Sequence, residues 1–428
     1  MKLRQIWKSV LVGTALGAAG GLLAFGVETG LILRAEGLAG VRMDMQGPVA
    51  AVFRAVRPHL PWLFARIAFT YLAAMLATAV VAGCTQVVPS DAGRRERSAT
   101  AWSTKVDWPF SLGVDGGDAV VTVSRNRVVD LDTASGRERW HADAAHVTHY
   151  DPTLDAETVL VSGDDRFVAL ERDSGALRWE AAVGEHAGGS ALARTGGEQI
   201  ALVTTEGGVV AALDGRTGQT RWSVQVPGDI YSAPAADAAA GVAAVVWTGD
   251  EDRLSVFDLA TGAVRWETTI DPGATAPTIH KELVVLGEGK GNFEARIVGR
   301  DVSSGAERWS TTVPASFESG LTPGTDGDDV AVSDHFGTVT LVDTRSGKPR
   351  WQTAIHEPIL DTRVVLTHDA VAFTTYAGQV VILDRRSGRV LRRVAPGGFP
   401  VGIGVSEKRL IFAVRLARPD RVEALPLP

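Results

Sequence analysis

The chain has 428 residues, 45% of them hydrophobic and 22% charged, enough to bury a large core. Its 43 Lys/Arg and 50 Asp/Glu are unevenly shared: residues 1–83 hold eight basic and three acidic residues, leaving 35 against 47 beyond. An acidic main part with no basic stripe excludes nucleic acid as a partner.

Two apolar stretches open the chain, about 10–27 and 67–83, with Arg34, Arg42, Arg54, Arg57 and Arg66 between them. The second ends in Val81-Ala82-Gly83-Cys84, and Cys84 is the one cysteine of the protein. The tetrapeptide resembles the bacterial lipobox, which implies lipidation of Cys84 and an extracytoplasmic, membrane-anchored protein of the bacterial cell envelope. Basic residues ahead of an apolar core and small residues at the cut fit a secretory signal peptide. Because 83 residues are too many for one signal, either translation starts downstream or residues 10–27 add a membrane span. The alternative is a two-span anchor in which Cys84 ends the second helix, and the basic residues on both sides do not orient it. Residues 84–100 are polar, without periodicity, and read as a flexible tether.

Beyond the tether the composition turns to short Val-, Thr- and Gly-rich runs broken by turn residues, the pattern of an all-β region. One word recurs seven times, as in "LDTASGRERW", "LDGRTGQTRW" and "VDTRSGKPRW", with its glycine repeating every 39 to 44 residues. Aligned on Gly136, Gly175, Gly218, Gly262, Gly305, Gly347 and Gly388, it reads apolar-x-apolar-Asp-x-x-[Ser/Thr]-Gly-x-x-x-Trp. Asp and Ser/Thr bond back to nearby amides, glycine supplies positive φ, and each word is expected to form one β-hairpin. Trp140, Trp179, Trp222, Trp266, Trp309 and Trp351 follow their glycines at a fixed distance and are expected to pack between units.

The word resembles the repeat of quinoprotein-like (PQQ-type) β-propellers, whose blades carry an Ala-x-Asp-x-x-Thr-Gly-x-x-x-Trp docking motif. The resemblance covers residues 100–428 with two departures: Glu171 replaces the Asp, and Arg392 replaces the seventh Trp, which predicts looser packing of that blade. A strand at Trp102 lacks a word before it, and the C-terminal "RVEALPLP" supplies a strand with no word after it. Joined, they complete an eight-bladed β-propeller over residues 101–428, closed by pairing the last strand with the first and leaving no sheet edge.

In such a ring the Asp-x-x-[Ser/Thr]-Gly turns share one face. The segments from each Trp strand to the next inner strand share the other, around the channel mouth. That second face gives the candidate binding residues Trp108, His146, His149, His186, Asp229, Tyr231, Phe317, Glu318, His356 and Glu357, with Asp107, Glu185, Asp271 and Phe399 beside them. His146 and His149 have the spacing of two metal ligands, but a third ligand is not evident, and a solvated pair is the simpler reading. "GEGKGN" at Gly287 has no helix after it and reads as a β-turn, and "DGDD" at Asp326 lacks the further oxygens of a calcium loop.

Three functions compete. A PQQ-dependent dehydrogenase would need a quinone, calcium and an aspartate base. The resemblance implies a disulfide of adjacent cysteines under the quinone, which a chain with Cys84 alone does not have. The expectation is therefore no enzyme, no catalytic residues, no metal and no cofactor. The chain is similar instead to the BamB-type lipoproteins of outer-membrane β-barrel assembly, which implies a non-catalytic, membrane-anchored scaffold for protein partners in the cell envelope. An envelope sensor binding a small ligand at the mouth is the alternative.

Overall fold

A computed structural model describes residues 100–427, apart from 125, 145–149, 290–294, 318–320 and 360–362. The apolar stretches 10–27 and 67–83, the lipobox with Cys84, the tether to residue 99, and His146, His149 and Glu318 lie outside the described residues.

Eight four-stranded antiparallel sheets make up an eight-bladed propeller. Seven blades are built from consecutive strands. The first, for example, runs Ser111–Asp115, Asp118–Val123, Arg127–Asp132 and Glu138–Asp143 from the inside outward. The eighth takes Phe399–Ser406, Arg409–Arg415 and Arg421–Pro426 from the C-terminal end and Trp102–Lys105 from the start of the propeller as its outermost strand. Trp102 pairs with Ala424 and Lys105 with Arg421. The Thr133 and Ser406 hydroxyls bond at 2.9 Å across the seam between this blade and the first.

The two middle strands of each blade are buried almost end to end because each sheet lies between two others, so they read as continuous apolar runs. The outermost strand alternates, as in "TRWSVQ", with one side toward solvent. Eight apolar clusters form the core, one at each junction between neighbouring blades.

The junctions are joined by the recurring word. In every copy the glycine N–H donates to the carbonyl of the residue four earlier, at 2.7–2.9 Å. The glycine itself sits at φ between +69° and +74°, where a side chain is strained. Each tryptophan lies on the glycine of the following blade: Trp102 on Gly136, Trp140 on Gly175, and so on to Trp351 on Gly388. A Cβ added to any of the seven glycines would fall within 2.7 Å of that ring. Each indole N–H donates across the junction to a backbone carbonyl of the next word, at 2.7–2.9 Å.

The residue before each tryptophan is an arginine in six words, and the structure gives it a role that a consensus leaving that position open overlooks. The third and fourth strands of each word slip register by one residue at this point, for example between Ala212↔Trp222 and Leu213↔Thr220. The bulge leaves Arg221 without a cross-strand partner and turns it to the side of the turn. The six arginines each reach the acid seven residues earlier: Arg139–Asp132, Arg178–Glu171, Arg221–Asp214, Arg265–Asp258, Arg308–Asp301 and Arg350–Asp343. Glu171 keeps the pairing, because its longer side chain takes Arg178 Nε and Nη2 at 2.8 and 2.7 Å.

Arg392 stands where the other six words have tryptophan. A tryptophan there would face the eighth blade, whose third and fourth strands come from opposite ends of the propeller and therefore carry no word and no docking glycine. Val380, Ile382, Ile403 and Phe412 belong to the apolar cluster of that junction.

Candidate functional site

In an antiparallel blade whose inner strand leads outward, the turn between the second and third strands and the link from the outer strand to the next blade open on the same face. Trp108, His186, Asp229, Tyr231 and His356 are exposed there. Trp108, His186 and His356 hold positive φ of 48°, 55° and 60°, which turns each side chain sharply out of its link. Glu357 is half-buried and accepts hydrogen bonds from Arg393 at 3.1 Å and from Thr375 and Gln379 at 3.3 Å, a structural arrangement. Phe317 is not a surface residue. It is 1% exposed and packs on Gly287, where a Cβ would come within 2.8 Å of its ring, so it closes the fifth junction from above.

Two groupings stand out on this face. The first is a strip of rings crossing blades six, seven, eight and one. His335 meets Phe336 at 6.3 Å and Tyr376 at 5.8 Å between centroids, and Tyr376 meets Phe399 at 6.5 Å. Arg415 then bridges Phe399 and Trp108, 5.7 and 5.9 Å from their ring centroids. Phe336 is 52%, Tyr376 43% and Trp108 42% exposed, and Leu416, next to Arg415, is 63% exposed. The sequence pointed to Trp108 and Phe399 because they lie in the links. Phe336 and Tyr376 sit in tight turns between middle strands, where "DHFGT" and "TYAGQ" place an aromatic residue one and two positions before the turn glycine.

The second is the channel itself, a cavity of about 600 Å³. Its wall is formed by inner strands that approach backbone to backbone. Gly189 has no room for a Cβ, which would lie 2.5 Å from Ala233 Cα of the next blade. Polar groups gather toward the mouth. Tyr150 donates to Glu206, and burial together with that carboxylate pushes its phenol up to about 12. Tyr231 donates to Asp229 Oδ2 at 2.9 Å. Asp151 is exposed to the lumen, where the surrounding ring of protein limits its hydration and pushes its carboxyl up to about 6. The Arg363 charge and the Leu112 N–H, 3.2 Å from Oδ1, pull the other way. Of these groups the sequence singled out Tyr231 and Asp229. Tyr150, Asp151, Glu206 and Arg363 converge only through ring closure. Among the described residues no group of three or more His, Cys, Asp or Glu is placed to hold a metal ion.

The comparisons with known proteins can be set against this geometry. A family model described as outer membrane protein assembly factor BamB matches residues 86–201 and 168–394. The BamB of Bordetella pertussis is 26% identical over 312 residues, 70% of this chain and 79% of its own length. The serine/threonine-protein kinase AfsK of Streptomyces coelicolor is 28% identical over 289 residues, 64% of this chain but 34% of the kinase. The crystal structure of BamB from Moraxella catarrhalis superposes with a TM-score of 0.60 at 18% identity, covering 77% of this chain and 97% of that one, a likeness of fold.

Proposed function

Since the chain belongs to the PQQ-like propeller family of outer membrane protein assembly factor BamB, we propose that it is a non-catalytic scaffold that docks a protein partner in the cell envelope. The aromatic strip from Phe336 to Trp108 carries this reading. Large exposed rings and an arginine are among the residue types that dominate protein–protein contacts, and a cluster of exposed apolar side chains on one face marks an interaction site. The blades beneath it are held by Trp–Gly joints and apolar junctions, so the strip is presented on a rigid base. An N-terminal anchor, through lipidation of Cys84 or a retained apolar span, would keep this base at the membrane.

The test is crosslinking of full-length protein in its native membranes followed by mass spectrometry, comparing wild type with Trp108→Ala/Tyr376→Ala. The expected result is a discrete crosslinked protein that disappears in the double variant while the propeller keeps its melting temperature. Crosslinks unchanged by the double variant would remove the strip from the interface. In the same preparations, intact mass beside a Cys84→Ala variant reads the anchor: an acylated N-terminal Cys84, lost in the variant, is expected.

A further inference from the structure

We propose that the mouth of the central channel is a binding site for a small organic cation, a molecule bearing a primary amine. The argument is one of donors and acceptors. Both phenols at the mouth spend their O–H on carboxylates, Tyr150 on Glu206 and Tyr231 on Asp229. What they leave toward the lumen is acceptor capacity, in the phenol oxygens and the remaining carboxylate lone pairs. An ammonium group offers three donors and no acceptor, the complement of such a wall. The two aromatic rings add a face that attracts a cation.

Charge balance agrees. Among the residues that line the cavity, three carboxylates, Asp115, Asp151 and Glu206, stand against the single guanidinium of Arg363. Asp115 is committed to Arg172 at 2.6 Å, away from the mouth. Arg363 offsets Asp151, so among the described residues that line the cavity no further cation stands against Glu206.

A volume of about 600 Å³ is within the range of small-molecule sites. The site lies apart from the aromatic strip and does not depend on the scaffold role.

Calorimetric titration of the purified full-length protein tests this with three ligands of similar length: putrescine, neutral 1,4-butanediol and the dianion succinate. Saturable binding of putrescine, at least tenfold tighter than of either analogue, is expected. Glu206→Gln, which keeps the side-chain shape, should weaken putrescine at least tenfold. Tyr231→Phe, at an exposed position, provides a second variant should the first lose its fold. Trp108→Ala should leave putrescine binding unchanged, so a failure of the scaffold role and a failure of this site are told apart. Equal binding of butanediol, tighter binding of succinate through Arg363, or no saturation by putrescine would each overturn the proposal.

Discussion

At the scale of single residues, the seven docking glycines combine two constraints that a substitution can separate. Gly305 has φ of +74° and carries the Trp266 ring 2.7 Å from where a Cβ would stand, whereas Gly197 has φ of +84° with nothing within 4 Å. Gly197→Ala should therefore cost only backbone strain, about 1–3 kcal/mol. Gly305→Ala should cost more, because the ring must also move, and the difference in urea unfolding isolates the joint itself. Asp130 is a second case. It is 1% exposed in the first blade, and neither carboxyl oxygen has a hydrogen-bonding partner among the described residues. Burial, then the charge of Asp118, pushes it up to about 7 against the pull of Arg139 and Arg172. A carboxyl raised on folding binds its proton more tightly in the native state, so its contribution is fully favourable below about pH 4 and is lost as pH climbs to about 7. Asp130→Asn should melt higher than wild type at pH 8, with the gain fading toward pH 4; a gain equal at both would show that charge is not the cause. The glycine word was plain in the sequence because one turn chemistry is spelled seven times. Asp130 was not, since a carboxylate at the position of a buried strand residue looks like any other loop-flanking acid until its neighbours are known.

At the scale of the element, the hairpin word is a bulge as well as a turn. The slipped register re-aims the arginine to the acid while the tryptophan stays on the side facing the next blade. The ion pair is partly exposed, and Arg265→Ala should cost no more than about 1 kcal/mol. Loss of the ring is different: Trp309 is 9% exposed, and Trp309→Ala should cost about 3–5 kcal/mol in denaturant unfolding. Arg392→Trp offers the converse test. Because the next blade has no glycine to receive a ring, this substitution should bring no stabilisation, although it restores the consensus. The Arg-Trp pair was legible in six copies, but a bulge has no signature of its own in the sequence, so what the arginine does emerges only from the pairing register.

At the scale of the whole molecule, the count of blades followed from two incomplete ends that fit each other, and the eighth sheet joins them. The mouth was only partly legible. Leu112, Glu206 and Arg363 share one cavity while lying in blades one, three and seven, and no local pattern links them. Phe317 misled because a position at the start of a link can point down into a junction as well as out. Removal of residues 421–427 should open the ring, shift the protein to oligomers in size-exclusion chromatography and expose it to limited proteolysis, since both the second and fourth strands of the last blade lose their partner. The shared blade also imposes an order in time. A chain emerges from its N-terminal side, so Trp102–Lys105 waits unpaired until Arg421–Pro426 has been made. Any product that ends before Arg421 leaves that strand without its partner, an unpaired edge that only completion of the chain covers.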